Sequence, residues 1–119
     1  MNTKLLGAWG ESLALDEYRK RKYRPVAAGY RTRFGEIDII VENRQYIVFA
    51  EVKLRKDSEF AAAREFVNSG KIRRIKTTAE LWLADNETDK QPRFDVVEIY
   101  ASDGLNTKKP KIYIIENAF

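Results

Sequence analysis

A mixed β-sheet covered by helices, an α/β domain, is the fold class the sequence predicts, and three features predict it. Short stretches rich in Ile, Val, Phe and Tyr alternate apolar and polar residues with the two-residue period of half-buried strands. Longer stretches, at residues 3–22 and 71–85, repeat their apolar positions at helical spacing instead. A long helical crossover separates a strand ending near Leu54 from one starting near Phe94, which makes that pair parallel and its connection right-handed. A chain of 119 residues suits one domain, 1–119, with a single core and the element order α-β-β-β-α-β-β.

The first helix runs through "TKLLGAWGESLALDEYRKRKY", with Leu5, Leu6, Trp9 and Leu13 on one side. "PVAAGYR", opening on Pro25, reads as a short strand weakened by Gly29. "GEIDIIV" and "YIVFAEVKL" follow as strands joined by the polar "ENRQ", a hairpin. Beyond Asp57 and Ser58, either able to cap a helix, "EFAAAREFV" is helical until "NSG" interrupts it. "KIRRIKTTAELWLAD" is the next helix, with Ser69 as the expected cap and Ile72, Ile75, Ala79 and Trp82 or Leu83 turned inward. "RFDVVEIYA" and "KIYIIE" are the last strands, separated by the loop "SDGLNTKKP".

Composition narrows the chemistry. With no Cys, disulfides, thiolate nucleophiles and thiolate zinc sites are excluded. With no His, the usual general base and the commonest transition-metal ligand are missing as well. A metal has to be held by oxygen, which points to magnesium, manganese or calcium. Runs such as "YIVFA" are too short to cross a bilayer, and Glu11 interrupts the early apolar stretch before it can act as a signal peptide, so a cytoplasmic location without a membrane partner is expected. The formal charge is +4, but the 22 Lys and Arg bunch in "RKRKYR", "RTR", "KLRK", "KIRRIK" and "KKPK", a distribution that suits an anionic polymer as partner. Each cluster taken alone also reads as an ordinary solvated face.

The charges inside the hairpin are the feature that asks for a function. Alternation places Glu36, Asp38 and Ile40 on one face of their strand, and Ile47, Phe49, Glu51 and Lys53 on one face of the next. An even-numbered loop, "NR" or "ENRQ", sets Asp38 opposite Phe49 and Glu51 opposite Glu36, so the two sets share a face that is apolar near the turn and acidic at the far end. Gathered, partly buried carboxylates repel one another and need a compensating charge. A divalent ion held by Asp38, Glu51 and the carbonyl of Val52, with waters, supplies it, and Lys53 lies on the side of Glu51. Such a site performs phosphoryl-transfer chemistry without histidine. The plainer alternative is a rim salt bridge in which Lys53 neutralises Glu36 or Glu51.

Asp38 followed by Glu51-Val52-Lys53 resembles the PD-(D/E)XK nuclease signature, and "GEIDII" with "VFAEVKLR" resembles the YraN-like family of predicted endonucleases, related to archaeal Holliday junction resolvases. The likeness covers roughly residues 7–99, through "GAWGESLA", the hairpin, "GKIRRI" and "RFDVVEI". It implies a restriction-endonuclease-like fold with Asp38 and Glu51 as metal ligands, Lys53 as the catalytic lysine and Glu11 as a further acid near the metal. Ile37 stands where the motif nominally has Pro, Glu36 matches an acidic position, and Lys71 falls where related nucleases place a helical residue that touches phosphate or supports the site. Glu11 shares a helical stripe with Gly7, Leu15 and Tyr18, whereas Asp95 reads as structural, a partner for Arg93.

The leading expectation is therefore a magnesium- or manganese-dependent endonuclease acting on DNA, branched or structured DNA included. Arg31, Arg33, Arg55, Lys71 and Arg74 are the candidate backbone contacts. The alternatives are a nucleic-acid-binding module that does not cut, and a scaffold whose charges are structural. Cutting both arms of a junction needs two copies, and an edge strand such as "KIYIIE" allows a homodimer.

Overall fold

The computed structural model describes residues 3–56 and 68–119. Helix α1 (Thr3–Lys20) leads into β1 (Arg24–Thr32), β2 (Gly35–Glu42) and β3 (Tyr46–Arg55); α2 (Ser69–Asp85) then leads into β4 (Gln91–Tyr100) and, past a short 3-10 turn at Gly104–Asn106, β5 (Lys111–Ile115). The strands lie side by side in chain order in one five-stranded sheet. Every neighbouring pair is antiparallel except β3 with β4, which run parallel as the crossover requires. The expected helix at "EFAAAREFV", with its caps Asp57 and Ser58, lies outside the described residues.

Alternation along the strands divides the core in two. Ile39, Val41, Val48, Ala50, Val97 and Ile99 pack under Ala14 and Tyr18 of α1, whereas Ile40, Ile47 and Phe49 pack under Ile75, Ala79 and Trp82 of α2. The helices therefore cover opposite faces. For α2 helical spacing predicts Ile75, Ala79 and Trp82, which are buried, but Ile72 is only partly buried and Thr78, buried as well, was not among the expected residues. For α1 the match is partial: Leu13 packs against the core and Leu6 and Trp9 are partly buried, but Leu5 is exposed and the fully buried side against the sheet is Gly10, Ala14 and Tyr18. Small residues win here because they let the helix axis approach the sheet: a Cβ at Gly10 would already touch Leu54 and Val52 at 3.7 Å.

Three boundaries differ from expectation for identifiable reasons. Helix α1 stops at Lys20 because Tyr23 N–H bonds back to the Tyr18 carbonyl at 3.0 Å, with Lys22 in the left-handed region at φ 72 where glycine is usual. Helix α2 is capped by Asn68, not Ser69: the Asn68 side chain accepts the Lys71 N–H at 2.9 Å. In the hairpin the turn tip is Arg44-Gln45, since Asn43 Oδ1 accepts the N–H groups of both Gln45 and Tyr46. The loop is even-numbered, as expected, but the register is displaced by two residues. Phe49 faces Ile40 instead of Asp38.

The parallel strand β4 carries the most buried ion pair. Asp95, with no exposed surface, accepts two bonds from Arg93 at 2.9 and 2.8 Å, one from the Tyr18 hydroxyl at 2.7 Å and one from Asn117 N–H at 3.0 Å. Arg93 lies over the Tyr46 ring at 4.7 Å. Asp95 is thus paired with Arg93 and ties α1, β4 and the C-terminal turn together.

Candidate active site

The displaced register brings the two strand acids together. The last pair of the hairpin ladder is Ile39 with Ala50, and one step further come Asp38 and Glu51, on the face that α2 covers. At that point Asp38 bridges the strands with its side chain, Oδ2 accepting the Val52 N–H at 2.7 Å. The N–H and C=O of a strand residue point to the same side, so the Val52 carbonyl is turned to the same gap.

Helix α2 delivers cations to this gap. Its cap places Lys71 in the first turn, a position where the helix dipole disfavours positive charge, and a carboxylate compensates: Lys71 Nζ lies 2.8 Å from Glu51 Oε1. Lys53 Nζ lies 3.4 Å from the same oxygen. Gly35 lets the helix come this close, since a Cβ there would stand 3.0 Å from Thr78 Oγ1 and 3.4 Å from the Arg74 backbone oxygen. The result is a cleft of about 170 Å³ lined by Glu36, Asp38, Glu51, Lys71 and Arg74.

The electrostatics follow from burial and crowding. Burial first, and then the charge of Glu51, push the Asp38 carboxyl up to about 7, against the pull of the Val52 N–H. Burial and the adjacent Lys71 hold Lys53 below the usual lysine range. Lys71 moves the other way: burial works against its charge, but Glu51 outweighs it and holds the ammonium above the usual range. Burial and then Glu36 raise Glu11, opposed by Arg31.

Among the residues singled out in the sequence, Asp38, Glu51, Lys53 and Lys71 are brought together, with Arg74 and Glu36 beside them. Glu11 acts on Asp38 through its charge but does not line the cleft. Arg31 pairs with Glu36 at 3.1 Å on an exposed surface, and Arg33 lies 4.8 Å over the Phe34 ring, so both stand outside the cleft. Arg55 is not there either: its Nε is 3.5 Å from the buried Glu98, whose carboxylate requires a counter-charge, and it lines a separate cavity of about 410 Å³ with Leu6, Leu54 and Asn106. The Lys71 contact with Glu51 could not be read from spacing, because the two residues belong to elements joined only by tertiary packing.

The donors decide which ion would suit the cleft. All of them are oxygens, and Asp38 carries a charge its surroundings disfavour. Among the described residues, no group of three or more acidic side chains is gathered for an ion. Two carboxylates are what magnesium commonly takes when waters and phosphate oxygens complete its shell. The residues therefore fit a magnesium or manganese ion shared with a substrate better than a cage made by protein alone.

Among the described residues no helix is long and apolar enough to cross a membrane. The family described as "Uncharacterised protein family UPF0102" matches residues 10–99. The chain is 45% identical to a UPF0102 protein of Caldicellulosiruptor bescii over 121 residues, covering 100% of both chains. A UPF0102 protein of Alkaliphilus oremlandii is 43% identical over 122 residues, again with 100% of both covered. One from Vibrio parahaemolyticus is 38% identical over 99 residues, 82% of each chain.

Proposed function

The chain belongs to the UPF0102 family, and from that premise we propose that it is a metal-dependent endonuclease with a restriction-endonuclease-like fold, hydrolysing phosphodiester bonds in DNA, branched or structured DNA included. One observation carries this reading: Asp38 and Glu51 meet at the point where the hairpin ladder ends, with the ammonium groups of Lys53 and Lys71 3.4 and 2.8 Å from the same Glu51 oxygen. Paired carboxylates that can hold a divalent ion, beside a lysine, are an arrangement able to support phosphodiester hydrolysis without histidine.

Asp38, Glu51 and the Val52 carbonyl would hold the ion, which when bound supplies Lewis acidity at the phosphate and lowers the pKa of water. Lys53, held below the usual lysine range and 3.4 Å from Glu51, would orient the attacking water and favour its hydroxide form. Lys71 and Arg74 offer positive charge to the phosphate oxygens from α2. Glu11 tunes the field at Asp38 from outside the cleft.

The test is cleavage of a panel of junction, flap, duplex and single-stranded substrates with magnesium or manganese. Asp38→Ala, Glu51→Ala and Lys53→Ala are each expected to lower the rate by at least ~100-fold in folded protein. Full activity in excess chelator overturns the mechanism.

The close Lys71–Glu51 contact, 2.8 Å, favours a second reading, because an ammonium already neutralises one of the ion's ligands. In that reading the protein grips nucleic acid without cutting it. Cleavage of any substrate by the purified chain, lost in Lys53→Ala, eliminates it.

A further inference from the structure

We propose that the sheet face bearing the cleft continues into a single-strand-binding track, in which Tyr113 stacks an unpaired base while Lys56, Lys109 and Lys111 hold neighbouring phosphates. The proposal deepens the nuclease reading and rests on it for the direction of the strand, which leaves the cleft across β4 and β5. It gives the substrate a class: nucleic acid with unpaired nucleotides next to the cut.

The register places these groups. Lys53 of β3 pairs with Glu98 of β4, which pairs with Tyr113 of β5; one step along, Arg55 pairs with Tyr100, which pairs with Lys111. Paired residues of adjoining strands present the same face, so Tyr113 and Lys111 share the face of Glu51 and Lys53. Two strand spacings separate Tyr113 from Lys53, about 10 Å.

Chemistry says what such a row would bind. Tyr113 is 50% exposed and meets the Tyr100 ring edge-on at 5.8 Å. Tyr100 is itself fixed by its hydroxyl, which donates to Glu98 at 2.9 Å. The Tyr113 ring is thus flanked on one side by Tyr100 and half exposed to solvent. Beside it lies a hollow of about 210 Å³ lined, among the described residues, by Lys56, Tyr100, Ser102, Thr107, Lys109 and Lys111, none of them acidic. None of these lysines makes an ion pair among the described residues. Unneutralised ammonium groups around a concavity, with hydroxyls as further donors, suit a phosphate. An aromatic face next to them selects strands whose bases are free, because bases inside a duplex already stack on one another.

The experiment is binding of a labelled oligothymidylate of about 12 nucleotides and of a blunt duplex, in chelator so that nothing is cut. Tyr113→Ala should weaken the oligothymidylate about tenfold and the duplex by less than about twofold, and Tyr113→Trp should restore the single-strand affinity. Lys109→Ala with Lys111→Ala should weaken both and flatten the slope of log affinity against log salt by about 1.4 on the single strand. Equal oligothymidylate affinity for Tyr113→Ala and the parent overturns the track while leaving the cleavage reading intact. A Tyr113-dependent single-strand affinity in a protein that cuts nothing retains the track and overturns the nuclease instead. If the parent binds neither ligand, the track falls, and the nuclease reading is decided separately by the cleavage panel with metal.

Discussion

Two aspartates, Asp38 on β2 and Asp95 on β4, sit in the sheet with opposite consequences for the protein. Asp95 accepts bonds from Arg93, Tyr18 and Asn117, so its charge is fully compensated. Asp95→Ala should strip the buried Arg93 of its main partner, leaving Glu116 at 3.7 Å and the Tyr46 ring, and cost about 3 kcal/mol in urea denaturation, with any loss of activity following the folded fraction. Asp38 has one N–H to satisfy it, and burial with Glu51 pushes its carboxyl up to about 7 from an ordinary 3.8. A carboxyl raised by folding penalises the native state whenever it is ionised. The penalty is absent below the unfolded value, grows as pH rises through the interval, and is complete above about 7. Without metal, stability should therefore fall between about pH 4 and pH 7, by at most about 4 kcal/mol from this group. Asp38→Asn should remove that part of the pH dependence and raise the melting temperature at pH 8. Magnesium or manganese should stabilise the parent more at pH 8 than at pH 5, because at the lower pH a proton competes for the same oxygens. An Asp38→Asn profile parallel to the parent's contradicts this account of the cleft.

Helix α2 shows how an element's end can set a site. Its cap fixes the first turn, and the first turn aims Lys71 at Glu51. Asn68→Ala should cost about 1 kcal/mol of stability, seen as a lower urea midpoint, and should also slow cleavage, because the turn that carries Lys71 frays. Asn68→Ser keeps a capping oxygen and should preserve both. The sequence made most of this region legible. Strand alternation assigned Asp38, Glu51 and Lys53 to one face, and the helical period found Ile75, Ala79 and Trp82. What escaped depends on single side chains and tertiary approach. The choice of Asn68 over Ser69 turns on which oxygen meets the Lys71 amide, and the two-residue register shift turns on Asn43 binding the turn amides. The closest approach of α1, at Gly10 and Ala14, was missed because neither residue gives a hydrophobic signal, although their smallness is what brings the helix to the sheet.

At the scale of the whole molecule, the question the proposed function raises is how a chain with 18 acidic residues would hold a polyanion at a cleft lined by three of them, Glu36, Asp38 and Glu51. The formal charge is only +4, so attraction has to be local, and the cleft itself mixes signs: Asp38, Glu51 and Glu36 against Lys71 and Arg74. In the absence of a divalent ion the strand acids repel any phosphate brought to the gap, and the repulsion is strengthened by partial burial and reduced by salt. Neutralising both acids should therefore improve affinity while ending catalysis. Asp38→Asn with Glu51→Gln adds two units to the formal charge and should tighten DNA binding in chelator roughly threefold to tenfold at low ionic strength, measured by fluorescence anisotropy. The gain should shrink as salt is raised, since screening weakens the repulsion that the substitutions remove. In the parent, magnesium should produce a comparable tightening, and in the variant little or none, because the ligands are gone. A variant that binds more weakly than the parent would place the phosphate elsewhere on the sheet and separate the acidic cleft from nucleic acid altogether.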